Sequence, residues 1–126
     1  MKMPVRATLA CLLLAAASAL AAWPERPIKL LIGYAPGGST DVVARMLSSK
    51  LGERLGQPII IENKPGGAGD FAAEMMLQSP PDGYTLLMTT VAVHALNPGL
   101  YKSRKFDPIN DFTPMAMVAS YPMIMI

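Results

Sequence analysis

The most informative part of the sequence is Ile28-Lys29-Leu30-Leu31-Ile32-Gly33-Tyr34, followed directly by Ala35-Pro36-Gly37-Gly38-Ser39-Thr40-Asp41. The first run is short and almost continuously apolar, which is typical of a strand buried on both faces of a parallel sheet. The second run consists of small and polar residues with two adjacent glycines, which is typical of a turn. A buried strand that passes through a glycine-rich turn into a helix predicts an α/β fold.

A helix is predicted directly after this turn. Apolar residues recur there at helical spacing while charged residues take the other face, and the apolar set is Val42, Val43, Met46, Leu47, Leu51 and Leu55. Ser39 or Thr40 is suited to cap the helix, and Asp41 suits the positive end of the helix dipole. Gly56 and Pro58 are the expected stop signals.

Strand and helix then alternate along the chain. We expect strands at 58–62 and 84–89, a helix at 71–78, turns at 63–69 and 80–83, and a polar loop that runs through Asn97 and Pro98. Residues 115–119 and 122–126 are two further candidate strands. This order predicts a right-handed α/β arrangement around a parallel sheet. Because the chain ends inside an apolar strand pattern, we also expect it to be part of a larger protein.

Composition limits the possible classes of protein. With 126 residues, 52% of them hydrophobic and 16% charged, the chain suits at most one modest domain and is not intrinsically disordered. Aromatic residues are few, so we expect packing to rest on Val, Ile, Leu, Met and Ala. The net charge of +2 comes from Lys2 and Arg6, since the other nine basic residues balance nine acidic ones. No basic run occurs, which argues against nucleic-acid binding.

The N-terminus has the pattern of an export signal. Lys2 and Arg6 form a positive region, residues 7–22 are apolar apart from Thr8 and Ser18, and Ala19-Leu20-Ala21 has the small-x-small pattern of a cleavage site. The alternative is an uncleaved membrane anchor, but the stretch is shorter than the ~20 residues that span hydrocarbon. We expect cleavage near Ala21 or Ala22, with residues 1–21 as the signal peptide.

Cys11 is the single cysteine of the chain. Leu9-Ala10-Cys11 resembles the end of a lipobox, but the apolar run continues well past the cysteine, so we expect Cys11 to be removed with the signal. The mature chain then has no cysteine, and no disulfide is possible. No later segment is long and apolar enough to span a membrane, so a soluble exported protein is expected.

The glycine-rich turn after the first strand is the strongest candidate site. Ligands of open α/β sheets bind beyond the carboxyl ends of the strands. Paired glycines let a ligand approach the backbone, and helix N-terminal N–H groups with the Ser39 and Thr40 hydroxyls can hold a carboxylate. The alternative is a well-formed turn that binds nothing. Asp41 argues against an unshielded phosphate, because its charge would repel a dianion.

A second polar cluster follows the third strand. Thr89 and Thr90 could extend the anion site at the same edge of the sheet, and His94 or Asn97 could line its rim. The alternative is a loop in which His94 is solvated or hydrogen-bonded locally.

The turn Asn63-Lys64-Pro65-Gly66-Gly67-Ala68-Gly69 lacks the Walker ending and the dinucleotide glycine spacing, so a plain turn is expected. No nucleophile elbow is present and one histidine cannot build a histidine-based metal site, so the protein is not expected to be an enzyme, and no cofactor or metal is expected. The scattered methionines are candidates for the core rather than for a copper site; they are Met75, Met76, Met115, Met117, Met123 and Met125.

Several motifs, taken together and in order, resemble the tripartite tricarboxylate transporter substrate-binding proteins, the Bug family. They cover nearly all of the mature chain and are Trp23-Pro24-Glu25-Arg26-Pro27-Ile28, Ala35-Pro36-Gly37-Gly38-Ser39-Thr40-Asp41, Leu55-Gly56-Gln57-Pro58, Glu62-Asn63-Lys64-Pro65-Gly66, Pro81-Asp82-Gly83-Tyr84-Thr85-Leu86, His94-Ala95-Leu96-Asn97-Pro98, Phe106-Asp107-Pro108 and Asp111-Phe112-Thr113-Pro114.

The resemblance implies a two-lobed periplasmic-binding-protein fold of the Venus flytrap kind (type II), whose parallel-sheet α/β lobes close on a small organic carboxylate. It also implies delivery of that ligand to a membrane permease. Residues 22–126 would then be the first lobe, incomplete, with the second lobe missing. The ligand-binding residues that it implies are Tyr34, Ala35, Pro36, Gly37, Gly38, Ser39, Thr40, Asp41, Thr89, Thr90 and His94.

The sequence departs from the family pattern in two ways. Asp70 stands where the family usually has a neutral Asn or Thr, which puts a ligand role for the 63–69 turn in doubt. The chain also stops near the crossing to the second lobe. Three interpretations remain open: the N-terminal part of a carboxylate receptor, a non-functional truncation of one, and an exported enzyme acting on a carboxylate or phosphate.

Overall fold

The computed structural model describes residues 23–122, and these residues form an α/β unit around a three-stranded parallel sheet. The elements in chain order are β1 (Ile28–Ile32), α1 (Ser39–Leu55), β2 (Ile59–Asn63), α2 (Asp70–Leu77), β3 (Thr85–Met88) and α3 (Asn97–Leu100). A 3₁₀ turn, Gly67–Gly69, precedes α2, and a π-helical segment, Ala92–Leu96, precedes α3. The predicted signal peptide, residues 1–21, lies outside the described residues.

The sheet has the strand order β2-β1-β3, so β1 is central. Ile28 of β1 is level with Ile59 of β2, and Lys29 of β1 is level with Thr85 of β3. The connection from β1 to β2 leads to one side of β1, and the connection from β2 to β3 passes over β1 to its other side. Crossovers of one hand must then place α1 and α2 on opposite faces of the sheet.

The two faces carry separate clusters of buried side chains, because successive strand residues point to opposite sides. On the α1 face, Leu30 and Ile32 pack with Ala44, and side chains of β2 and β3 extend this cluster. On the α2 face, Ala73 packs with Val93 and Phe106. The predicted doubly covered α/β sheet is therefore confirmed, and β1 is buried from Leu30 to Ile32.

The three predicted strands and two predicted helices are confirmed with small shifts at their ends. Gly56 ends α1 in the left-handed conformation, with φ +69°, as its position predicted. The predicted cap was wrong: Gly38 is the N-cap residue and no side chain caps α1, because Ser39 and Thr40 already lie inside the helix. Val42 and Met46 were predicted on the apolar face but are exposed, and the fully buried contact is made by Ala44.

Two predictions for the C-terminal half were wrong. The expected polar loop after β3 is largely helical, and a π-helical segment does not show the 3.6-residue periodicity used to recognise helices. Residues 115–119 do not form a strand, since no neighbouring strand of the described chain pairs with them. Met115 and Met117 are 77% and 86% exposed and so lie outside the core. Residues 123–126, with Met123 and Met125, lie outside the described part.

No helix within residues 23–122 has the length and apolar character needed to cross a bilayer.

Candidate functional site

Three loops meet at the carboxyl edge of the sheet. They are residues 33–38 after β1, residues 64–69 after β2 and residues 89–91 after β3. Because the strands are parallel and β1 is central, the β1 loop lies between the other two. This edge is where ligands bind in open α/β sheets.

Asp41 joins the β1 loop to helix α1 and to strand β2. Its side chain is almost fully buried and accepts a hydrogen bond from the Gly37 N–H at 2.9 Å. Arg45, one turn further along α1, donates Nε and Nη2 to the two carboxylate oxygens at 2.8 and 3.1 Å. Asn63 at the end of β2 donates its amide at 2.9 Å. The carboxylate is thus fully engaged inside the protein.

The hydrogen bonds from Arg45, Gly37 and Asn63 hold the pKa of Asp41 well below its usual range. The side chain therefore stays charged at any pH near neutrality. Its charge is matched by the Arg45 guanidinium, so the repulsion of an anion that the sequence suggested is largely cancelled at this position.

The β1 loop itself is open to solvent from Ala35 to Ser39. Gly37 has φ +84°, a conformation that residues with a side chain rarely adopt, and it turns the chain towards the start of α1. The first N–H groups of a helix have no acceptor within the helix, and here no side chain caps them. The start of α1, next to this open loop, therefore offers backbone donors at the positive end of a helix dipole.

Ser39 has a contact that the sequence did not predict. Its hydroxyl lies 3.0 Å from the hydroxyl of Tyr121, which is 82 residues away in the chain. The segment that follows Phe112 therefore reaches the start of α1. Thr40, the next hydroxyl residue, is half-buried.

Tyr34 links all three loops. Its hydroxyl donates to the Ala68 carbonyl at 3.2 Å and lies 2.6 Å from the Thr90 hydroxyl. The Tyr34 carbonyl also accepts a hydrogen bond from Asn63 at 3.1 Å. The predicted proximity of the β1 loop and the Thr89-Thr90 pair is therefore confirmed, although their role in binding stays a prediction.

The second polar cluster is only partly available to a ligand. The Thr90 hydroxyl also accepts a hydrogen bond from the Ala92 N–H, and the Thr89 hydroxyl is buried with no partner in the part of the chain described. His94 directs Nδ1 to the Pro108 carbonyl at 2.8 Å and packs edge-on against Phe112. These local contacts correspond to the alternative reading of His94, whose ligand role stays a prediction.

Sequence reasoning missed Arg45 and Asn63, which hold Asp41 in place. The four-residue spacing of Asp41 and Arg45 on one helix is a recognisable signal for an ion pair. Asn63 gave no such signal, because 22 residues separate it from Asp41 and only the β1–β2 pairing brings them together.

The three loops lie side by side at one edge of the sheet. Two open grooves of about 570 and 220 Å³ lie elsewhere, one beside Gly52 and Gly56 and the other beside Arg26 and Tyr84. Neither is lined by a residue of the three loops. Within residues 23–122, no group of three His, Cys, Asp or Glu side chains is placed to hold a metal ion.

Comparison with known proteins finds similar sequences and similar solved structures. A protein from Cupriavidus necator, described as lying in the gbd 5′ region, is 43% identical over 100 residues, which are 79% of this chain and 30% of that protein. MatC from Rhodopseudomonas palustris, solved with bound malate, has 36% identity and a TM-score of 0.73, covering 76% of this chain and 33% of MatC. A second R. palustris protein, solved with adipate, has 37% identity and a TM-score of 0.66, covering 68% of this chain and 29% of that protein.

The chain thus spans about a third of the length of the relatives that it matches. The profile of one family, described as the tripartite tricarboxylate transporter family receptor, matches residues 43–126, which is most of the chain. Together with the parallel α/β sheet shared with the solved structures, this match shows that the chain belongs to the tripartite tricarboxylate transporter receptor family, the Bug family of the sequence resemblance.

Proposed function

We propose that the complete protein is a receptor that binds a small organic carboxylate and delivers it to the membrane permease of a tripartite transporter. The observation that carries the proposal is the exposed β1 loop, where uncapped backbone donors stand at the start of α1. A carboxylate is the ligand that such donors suit. Membership of the receptor family, and relatives solved with malate and adipate, support the same class of ligand.

The residues divide into three groups in this proposal. Ser39 and Thr40 face the ligand with backbone N–H groups and hydroxyls, and Ala35, Pro36, Gly37 and Gly38 form the exposed backbone beside them. The N–H groups of Gly37 and Gly38 are already used inside the protein, by Asp41 and the Ala35 carbonyl. Asp41 acts through the loop, because both of its oxygens are already engaged by protein groups. Tyr34, Thr89, Thr90 and His94 form the neighbouring part of the wall.

The organisation of the complete protein follows from the same reasoning. We place a signal peptide at residues 1–21 and an incomplete first lobe at residues 22–126, with a second lobe supplying the opposite wall of the cleft. The receptor is periplasmic, and its ligand drives closure because the closed lobes contact it on both sides. The matching proteins are receptors, and we propose that this protein likewise is not an enzyme.

The test is titration calorimetry of the complete protein with malate, adipate and citrate, with malic diamide as a matched uncharged control. We expect at least one acid to bind with micromolar or better affinity and the diamide to bind at least ~100-fold more weakly, since hydrogen bonds to an ionised acceptor are the stronger kind. Equal binding of acid and diamide, or no binding of any carboxylate in a wider screen, would contradict the proposal.

A further inference from the structure

Asp70 is the first residue of α2 and stands directly after the 64–69 loop. The structure gives this carboxylate a counter-ion: Arg104 donates Nε and Nη2 to its two oxygens at 2.8 and 2.9 Å. Such paired hydrogen bonds between guanidinium and carboxylate are strong and fix the relative orientation of the two groups.

The pair lies inside the protein. Arg104 exposes 7% of its side chain and Asp70 exposes 16%. The guanidinium packs 4.2 Å above the ring of Phe106, which belongs to the core cluster on the α2 face. Its Nη1 is buried without a hydrogen-bond partner among the described residues. Removal of these charges from water costs free energy, so a contribution to stability alone is a weak explanation for the pair.

The hydrogen bonds of the pair connect two of the three loops of the site. Arg104 Nη2 also donates to the Val93 carbonyl at 2.9 Å, in the segment that follows Thr90. Asn97 donates to Asp70 at 2.7 Å and to the Gly67 carbonyl at 3.4 Å. The 64–69 loop and the segment after β3 are therefore tied together from the core side.

The same two loops meet the Tyr34 hydroxyl on the side of the site, at Ala68 and Thr90. The 64–69 loop and the segment after β3 are closely packed. A Cβ atom added at Gly69 would lie only 2.7 Å from a methyl carbon of Val93. A change in the Asp70–Arg104 distance must therefore move the groups that hold Tyr34, since close-packed segments cannot absorb it.

We propose that Asp70 and Arg104 are positioning residues of the binding site. Arg104 holds Asp70, Asp70 holds the 64–69 loop against the segment after β3, and the two loops together hold Tyr34 in place. This inference rests on the proposed function in taking the loops as a carboxylate-binding site. The coupling between the two loops does not depend on that function.

The test is a mutant cycle in the complete protein with three variants: Arg104→Leu, Asp70→Asn and the double variant Asp70→Asn/Arg104→Leu. The first readout is hydrogen exchange of the Gly69 amide, which donates to the Gly66 carbonyl at 3.0 Å, relative to amides of β1. The second is affinity for malate and adipate. The matched control is Arg26→Leu, which removes an exposed 2.7 Å pair with Asp82 away from the three loops.

We expect Arg104→Leu to speed Gly69 exchange about tenfold relative to β1 and to weaken acid binding about tenfold, because it leaves a buried carboxylate without its counter-ion. The double variant is expected to recover both values to within about threefold, since Asn keeps the hydrogen bond to Asn97 and carries no charge. Arg26→Leu is expected to change neither value.

The proposal is overturned if Gly69 exchange in Arg104→Leu rises no more than that of β1, or if the double variant is no better than Arg104→Leu. If Arg104→Leu does not fold, Arg104→Lys replaces it, and unchanged Gly69 exchange in that variant counts against the pair. If the wild type binds none of the carboxylates, the proposed function fails, while the exchange readout still decides whether the pair positions the loops.

Discussion

At the scale of single residues, Asp41 has the largest influence on the shape of the site. It contacts a loop amide, a helix side chain and a strand side chain at once. A buried carboxylate with all of its acceptor positions occupied fixes the groups around it, because release of any one of them leaves a charged oxygen without a partner. The open β1 loop is therefore held from within.

We predict that both Asp41→Asn and Asp82→Asn lower the free energy of unfolding, and that the loss caused by Asp41→Asn is several times the larger. The Asn side chain keeps the size of Asp but cannot accept from Arg45 and Gly37 as a charged group does, whereas Asp82 belongs to an exposed pair. Urea denaturation at pH 7 is the measurement. Equal losses for the two variants would contradict the assignment of Asp41 as the link between loop, helix and strand.

The low pKa of Asp41 predicts how its contribution changes with pH. In the unfolded chain this carboxyl titrates near pH ~3.9, above its value in the folded protein, so acid protonates the unfolded state first. The difference in stability between wild type and Asp41→Asn is therefore constant above pH ~5 and shrinks as the pH falls through ~4 and below. If the stability difference between wild type and Asp41→Asn grew on acidification, the pKa of Asp41 would not be lowered by folding.

Gly38 provides the direct test of ligand approach. Its backbone angles, φ −72° and ψ 168°, are allowed for any residue, and an added Cβ would meet only the Ala35 carbonyl, at 3.5 Å. We predict that Gly38→Val weakens carboxylate binding at least ~10-fold in calorimetry while the melting temperature stays close to that of the wild type. Gly99→Val, whose added Cβ meets nothing within 4 Å, is the control. Unchanged affinity in Gly38→Val would contradict the proposal that the β1 loop contacts the ligand.

At the scale of elements, the site depends on how closely the loop after β1 approaches the turn before α2. A Cβ added at Gly33 would lie 2.5 Å from the Cα of Gly69, a distance that side chains do not tolerate against backbone. The absence of a side chain at Gly33 is thus what allows Tyr34 to reach the Ala68 carbonyl and Thr90.

We predict that Gly33→Ala lowers the free energy of unfolding by about 1–3 kcal/mol, the usual cost of overpacking a filled interior. Gly38→Ala places the same methyl group in ordinary van der Waals contact with the Ala35 carbonyl, at 3.5 Å, and is expected to change stability by less than about 0.5 kcal/mol. Urea denaturation of the two variants side by side provides the comparison. Similar stabilities would contradict the close approach of the two loops.

At the scale of the whole molecule, the described unit covers its sheet on both faces but leaves the side chains that follow Phe112 exposed. Met115, Met117 and Val118 are exposed to 77%, 86% and 47%, and the Tyr121 hydroxyl lies 3.0 Å from the Ser39 hydroxyl. Apolar surface of this kind is typical of a region that another part of a protein covers.

We predict that a protein consisting of residues 23–126 alone binds a hydrophobic dye such as ANS, and that the complete protein binds much less of it. The reason is the exposed apolar segment, which the proposed second lobe covers. Met115→Ser/Met117→Ser in the short protein is expected to lower the dye fluorescence, with Met46→Ser, on exposed helix surface, as the control. Equal dye binding by the short and complete proteins would contradict this account.

The order of strands and helices and the parallel sheet could be predicted from the sequence and are confirmed, whereas the anion-binding role of the β1 loop stays a prediction. The predicted features depend on local patterns: apolar runs, helical spacing and turn residues such as Gly37 and Gly56 act within a few positions of the chain. The family resemblance rested on the same short motifs, and it was confirmed.

The side chains that hold the loops together could not be predicted from the sequence, because they come together only in the folded chain. Asn63 reaches Asp41 across 22 residues, Arg104 reaches Asp70 across 34, and Tyr34 reaches Thr90 across 56. Such contacts follow from strand pairing and helix packing, so they cannot be predicted from a local pattern. The same holds for Met115, whose hydrophobicity indicated a core position, because burial depends on what the rest of the protein places against a side chain.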